Sequence, residues 1–343
     1  MTDDDKTSEE IADETVFPPR EVDVLRRWND GSSAPELAEE LEISPGAVRQ
    51  AIASARNRVE QIEKSLEFLE KTSLRPILPI EYTPDVPVTD SDWGGASWTQ
   101  WKSLKELRGE FNNTPGVIRL RHWAVPGLVY IGYSSRVNGR LNAIHRKVSA
   151  DEQPDTAPVS AAPELWELVQ QEGPGIEGSV LLLPEAPQTR LAAVQVALLS
   201  MHRQQVEQSP ITAFGGANRG TDEELESYPP LDWASYEDHD SDNWLGLNWS
   251  SWRPLSERLS EPKPKDKIVY EIRSPAGTVV KVGATTVPGD RLRTHERRYE
   301  EDAAYEFRFV ELDVGGRELD EIEAEVHGAV ILLGLIPLDF QRF

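Results

Sequence analysis

Twice along this chain, two short β-rich runs enclose a turn, and an arginine follows eight residues beyond a glycine. In the first instance the runs are Gly116 to His122 and Leu128 to Tyr133, with Pro126-Gly127 between them and Arg140 eight residues after Gly132. In the second they are Val269 to Arg273 and Thr278 to Val282, around Ser274-Pro275-Ala276-Gly277, with Arg291 eight residues after Gly283. Alternating runs joined by Pro/Gly turns predict hairpins. A chain that writes the same hairpin grammar twice has to find a core for two small sheets.

The 343 residues suffice for two or three domains at about 150 residues each. The chain has no cysteine, which excludes a disulfide scaffold, a thiol nucleophile and a Cys-based zinc site. Its longest apolar stretch, Gly328 to Leu338, is too short to span a bilayer. The opening MTDDDKTSEE is acidic where an export signal is basic and then apolar, so the expectation is a cytoplasmic protein with no membrane partner. Sixty acidic residues against 36 basic ones leave a formal charge of −24, and arginines outnumber lysines 26 to 10. An acidic, lysine-poor surface is the habit of proteins from salt-accumulating halophiles, where salt screens self-repulsion. An acidic protein of an ordinary cytoplasm is the other reading.

Composition divides the chain further. Residues 1–16 carry seven acids and one lysine and read as a disordered tail. Residues 17–71 read as helices, and 72–97, with its Pro, Gly and Asp residues, reads as a linker. An α/β segment follows over 98–255, within which Gly220 to Asn243 holds nine acids and no Lys or Arg and reads as a solvated loop or insertion. Residues 256–267 read as a Pro/Lys hinge, and 268–343 as a last α/β unit.

In the helical head, Pro18-Pro19 opens a helix with Val22, Leu25 and Trp28 on one face. Ser33 can cap a second helix with Leu37, Ala38 and Leu41 inward, and Ser44 a third after the tight turn Glu42 to Gly46. Helix, helix, short turn, helix is the order of a helix-turn-helix. Charge agrees: Ile43 to Val59 holds Arg49, Arg56 and Arg58 and no acid, where about three acids are expected at the chain's average frequency. The segment PPREVDVLRRW…APELAEELEISPGAVRQAI resembles the helix-turn-helix of sigma factors and response-regulator output domains. That resemblance implies DNA binding, with Arg49 and Gln50 reading base edges and Arg56 and Arg58 on phosphate. A three-helix bundle making protein contacts is the alternative. Val48, Ile52, Ala55, Val59, Ile62, Leu66 and Leu69 form a seam of about three heptads. It fits either a homodimer through helix 45–71 or an amphipathic helix packed on its own chain.

The first hairpin region, with GVIRL at 116–120, Tyr-Ile-Gly at 130–132 and Arg140, resembles the GIY-YIG nuclease superfamily. The resemblance implies phosphodiester hydrolysis, with tyrosines on the water, an arginine on the phosphate and a helix glutamate on Mg2+ or Mn2+. Two positions depart from it: Ile118 stands at the first motif's tyrosine and Gln195 at the glutamate. A neutral amide is a poor ligand for magnesium. The first unit, with Tyr130 and Arg140 at catalytic positions by resemblance, is therefore expected to be a weak or inactive copy that still holds DNA. Glu207 is a carboxylate that could rescue the metal site, though nothing in its spacing favours it.

The second region resembles the phage-type branch of the same superfamily, with Lys281 at the second tyrosine and Glu323 and His327 four apart on a late helix. By resemblance Tyr270 orients or deprotonates the water, Arg291 holds the scissile phosphate, Glu323 binds the metal and His295 assists proton transfer. Glu325 is the rival metal ligand. Arg293, Arg297 and Arg298 extend a basic patch for DNA beside Arg291. The expected fold is α+β: a helix-turn-helix head followed by two small units, each a mainly antiparallel sheet flanked by helices. The expected function is a DNA-binding, metal-dependent endonuclease. The rival is a non-catalytic DNA-binding regulator built on inactivated copies, and a protein-interaction scaffold is a third reading.

Overall fold

In a computed structural model the described residues are 24, 27–28, 33–41, 43–44, 46–53, 79–157, 159–213, 228–258, 260, 264–299 and 305–335. The chain divides into two compact units, Met1–Ile77 and Leu78–Phe343. In the first, helix α1 (Ala34–Glu40) and a helical stretch over 46–53 share a core of Val24, Leu37, Ala38, Val48 and Ile52. The Glu36 carboxylate accepts the Ser33 N–H at 2.7 Å, and Ser44 Oγ accepts the Ala47 N–H at 3.1 Å, so both expected serines start helices. The inward residue of the opening helix is Val24, while Trp28, expected on the apolar face, is 38% exposed. The tail 1–16, Val22, Leu25, Arg56, Arg58 and the seam beyond residue 53 lie outside the described residues.

The second unit builds two four-stranded antiparallel sheets of identical topology. The first half runs β1 (Lys102–Ser103), α2 (Leu104–Leu107), β2 (Gly116–Arg121), β3 (Tyr130–Ser134), α3 (Val137–Val148), α4 (Ala162–Glu172), β4 (Glu177–Leu182) and α5 (Gln188–Val206). The second half runs β5 (Arg253–Pro254), β6 (Ile268–Arg273), β7 (Val279–Thr285), α6 (Pro288–Tyr299), β8 (Glu306–Glu311) and α7 (Gly316–Leu332). Strand orders are β1-β4-β2-β3 and β5-β8-β6-β7. The expected hairpins are β2–β3 and β6–β7, with Ile118 opposite Gly132 and Tyr270 opposite Gly283.

Central strands β2 and β6 are buried on both faces, which is why they read as nearly continuous apolar runs. Val117 and Val269 face a shared core with α5 and α7, while Ile118 and Tyr270, one residue on, face outer cores of their own halves.

The segments expected to be a linker and a solvated insertion instead begin the two halves. Ile80, Val88 and Trp93 of one, and Leu231 and Trp233 of the other, are all buried, as is Trp244 just past the second. Their spacing repeats: Trp93, Trp98 and Trp101 against Trp244, Trp249 and Trp252. The Trp98 indole N–H donates to the Trp93 carbonyl at 2.9 Å, and that of Trp249 to the Trp244 carbonyl at 3.0 Å. Each box closes on a buried guanidinium, which cation–π attraction favours. Arg119 lies 4.3 Å from the Trp98 ring centre and Arg308 4.5 Å from that of Trp249.

The two halves do not separate at the expected hinge, because α5 and α7 cross. Ser200 and Gly328, each the thirteenth residue of its helix, meet at the crossing. Ser200 Oγ lies 2.8 Å from the Ala324 carbonyl and 3.0 Å from that of Val196, two equivalent positions of the two helices. One turn on, the fully buried Arg203 pairs with Glu325 at 3.0 Å and Glu321 at 3.3 Å. It also donates to Ser209 Oγ at 2.6 Å and to the Tyr228 carbonyl at 2.7 Å. Removing the cation from such a pair leaves uncompensated buried charge, so Arg203→Met should lower unfolding free energy by about 3–5 kcal/mol in chemical denaturation. Gly328→Ala drives a methyl into Ser200, and should destabilise by about 1–3 kcal/mol although alanine is the better helix former.

Candidate active site

Four elements of the second half bring the expected residues together. Tyr270 leaves β6 on the outer face, and Arg291 and His295, four apart, share one face of α6. The Tyr270 hydroxyl lies 2.8 Å from His295 Nε2 and accepts the Arg291 Nε–H at 3.2 Å. With arginine donating, the phenol proton is left to point at the imidazole. The phenol lies over Gly283, where a Cβ would come within 2.5 Å of its oxygen, so the glycine makes the space for it. Glu323, the eighth residue of α7, completes the group, with Lys281 of β7 beside it.

Electrostatics set the protonation states. Burial pushes the Tyr270 phenol up, with Arg291 pulling the other way, so it is protonated at neutral pH. Burial first, then the cations Arg291, Lys281 and Arg298, push His295 down to about 4, so it is a neutral base. Glu323 is lifted by burial, which Lys281, a hydrogen bond from the Ala284 backbone and Arg291 only partly offset and which Asp320 reinforces. Lys281 is lowered, chiefly by burial.

A carboxylate whose desolvation is incompletely offset suits a further cation. Among the described residues no three His, Cys, Asp or Glu side chains gather as a ligand cage. The single carboxylate fits magnesium or manganese, ions that keep several waters and borrow phosphate oxygens from the substrate.

The rival ligand Glu325 does not join this group. Its carboxylate is fully buried against Arg203 and Gln204 and accepts the Leu231 N–H at 3.1 Å, so it is committed to the helix crossing. His327 is buried and pushed down to about 3, which keeps its ring neutral. Of the expected DNA contacts on α6, Arg293, Arg297 and Arg298 are exposed, with Arg293 3.7 Å from Asp290. In the first unit Arg49 and Gln50 are exposed on the stretch whose Val48 and Ile52 turn inward.

The equivalent place in the first half is built differently. Tyr130, not residue 118, puts its hydroxyl over the equivalent glycine, Gly132. The phenol thus arrives from β3 instead of the central strand, and burial pushes it up while Arg140 pulls it down. Arg140 and Arg291 are each the fourth residue of their helices, whereas Ile144 stands where the second half has His295. Gln195, like Glu323 the eighth residue of its helix, turns its amide N–H to the Ile131 carbonyl at 2.8 Å. Glu207 sits exposed just past the end of α5 with a left-handed backbone, and takes no place in the group.

Reading of the sequence missed the tryptophan boxes and the placement of Lys281 against Glu323. The Trp spacing, identical in both copies, was the available signal for the boxes. No family model, curated protein or solved structure matches this chain.

Three buried histidines make stability depend on pH. His202 and His295 are held at about 4 and His327 at about 3, all chiefly by burial. Between these values and the unfolded value near 6.5, the three histidines bind fewer protons in the folded chain than in the unfolded one, whereas the raised carboxyls of Asp320, Glu323 and Glu325 bind more. The histidine contribution to stability should therefore be complete above about pH 6.5 and fall on acidification toward pH 4. Denaturant midpoints at pH 7 and pH 5, with His202→Gln flattening the difference, check this.

Proposed function

We propose that this chain is a DNA-binding, divalent-metal-dependent endonuclease that hydrolyses phosphodiester bonds in its second half. The observation that carries this reading is the hydrogen-bonded trio of Tyr270, His295 and Arg291, with Glu323 of α7 close enough for its charge to act on Tyr270 and for Lys281 and Arg291 to act on it. A phosphate seated at the exposed guanidinium of Arg291 is held next to the Tyr270 phenol. A water oxygen attacks phosphorus, the bond to one ester oxygen breaks, and a strand end carrying phosphate separates from one carrying hydroxyl. Tyr270 takes the water's proton as it passes its own to His295 Nε2, and the leaving oxygen is protonated from solvent. Negative charge on the docked phosphate raises the proton affinity of His295, which the surrounding cations otherwise depress. Glu323 would hold the metal, which supplies charge stabilisation at the phosphoryl oxygens. Arg49 and Gln50 of the first unit supply base-edge contacts that target the chain.

A regulator without catalysis is the second reading, favoured by Lys281, whose ammonium beside Glu323 can neutralise the carboxylate in place of a metal. Supercoiled plasmid in high-potassium buffer, with magnesium, with manganese and with chelator, separates the two. The nuclease reading expects cleavage that needs metal and falls by about 100-fold or more in Arg291→Ala and in Glu323→Ala. Arg140→Ala should weaken binding without lowering the rate at saturating DNA. A gel shift insensitive to metal, with no cleavage by wild type at any salt, would establish the regulator instead.

Gly283→Ala gives a separate check. The added methyl displaces the phenol from Arg291 and His295, so cleavage should fall by about 100-fold. The methyl also meets Cζ and Cε1 of a fully buried ring, so the variant should in addition lose about 1–3 kcal/mol of stability, and its cleavage is compared with wild type at a temperature where circular dichroism shows both folded.

A further inference from the structure

The second unit is a pair of like halves locked in one body, and only one half carries the full set of groups. Equivalent residues meet across the pairing: Ser200 with Gly328 at the helix crossing, and Tyr82 with Trp233, whose ring centres are 5.0 Å apart. The arrangement inside one chain is that of a two-subunit assembly. A symmetric pair of cleaving centres can cut both strands of a duplex in one encounter. Here the first half lacks three of the second half's groups, having Ile118 for Tyr270, Ile144 for His295 and Gln195 for Glu323.

What the first half has instead is a cationic groove. Helix α3 carries Arg140, Arg146 and Lys147 and no acid, with Lys147 paired to Asp155 beyond the helix and the His145 pKa lowered by burial and by Arg108 and Lys105, in a chain of charge −24. Against it lies a cavity of about 600 Å³ lined by Arg108, Asn142, His145 and Arg146 with small residues and no carboxylate. Arg108 Nη1 is 3.0 Å from His145 Nδ1, so arginine donates and the ring accepts. Arg108 and Arg146 are exposed. Guanidinium pairs beside a hydrogen-bonding amide are the chemistry that takes a phosphate of a nucleic-acid backbone.

We infer that the first half grips the strand that the second half does not cut, with backbone phosphates in the α2–α3 groove, so that one encounter leaves a nick rather than a double-strand break. This inference rests on the cleavage reading given above. One centre hydrolyses one ester bond, and cutting the complementary strand requires release and reversal of the whole body on the duplex.

The test is a time course of supercoiled plasmid with enzyme below the DNA concentration, in magnesium and high potassium, alongside duplex binding as a function of salt. The expected result is open-circular plasmid accumulating until the supercoiled form is gone, with linear plasmid appearing only afterwards. Arg108→Ala with Arg146→Ala should weaken duplex binding and flatten its salt dependence by about two phosphate contacts. Linear plasmid arising while supercoiled substrate remains would overturn the inference and leave the cleavage reading standing. Unchanged binding and salt slope in the double variant, with its fold intact by tryptophan fluorescence, would overturn the groove. Absence of cleavage by wild type would sink the nuclease reading and the nick together.

Rebuilding the missing centre is the complementary arm. Tyr130→Lys clears the space over Gly132, and Ile118→Tyr, Ile144→His and Gln195→Glu then reproduce the second half's set. The quadruple variant is expected to yield linear plasmid directly. A folded quadruple variant that still stops at open circle would overturn the assignment of the first half as the absent second centre.

Discussion

The crossing of α5 and α7 is the constraint on which the second unit depends. Close approach requires a residue without a side chain at Gly328, and the Ser200 hydroxyl fills the gap by reaching the facing helix. Beside it the Arg203 guanidinium, wholly out of water, is tied to two carboxylates, a hydroxyl and a carbonyl. Burying these charges is expensive, and attraction repays it only with every lone pair and proton engaged. Glu321 meets that condition through Ser209 and the Tyr228 N–H, and Glu325 through Gln204 and the Leu231 N–H. The segment that opens the second half is thereby fastened to the same cluster, and Glu323 is held on the opposite side of α7, facing the candidate centre.

The two halves keep spatial positions more faithfully than sequence positions. A tyrosine hydroxyl covers a strand glycine in each, delivered by β3 in one half and by the central strand β6 in the other. The guanidinium of the tryptophan box comes from the central strand as Arg119 and from the neighbouring β8 as Arg308, with Glu271 left at the central position to bind it at 2.7 Å. Long side chains on adjacent strands reach the same point, since facing Cβ atoms stand only about 5 Å apart. A function can therefore move by one strand without moving in space.

Chemically, the candidate centre works through the contrast between its buried groups and an exposed arginine. The phenol, imidazole and carboxyl are each pushed toward their neutral forms by burial. A bound anion beside Arg291 and a cation beside Glu323 would restore the charges that burial withholds. The first half has replaced its ionisable members by isoleucines and an amide, and its α3 keeps the cations.

Local patterning made much of this legible in the amino-acid sequence. Alternating runs around Pro/Gly turns defined both hairpins, the four-residue spacing of Arg291 and His295 set them on one helix face, and Ser33 and Ser44 marked helix starts. These features depend on neighbours a few residues away. Residues 80–97 and 228–243 were misread because prolines, glycines and aspartates suggest solvated chain, whereas Trp93 and Trp233 are buried by partners distant in sequence. Whether Glu323 or Glu325 belongs to the centre was equally beyond local pattern. Two residues apart on a helix they point to different sides, and only Arg203, from the other half, settles which carboxylate is committed to the crossing. The sequence by itself determined the repeated hairpins, the α+β class and the chemistry-bearing side chains. The tertiary structure alone decided which of them meet, because the helix crossing is set by packing between segments more than a hundred residues apart and strand pairing joins segments tens of residues apart.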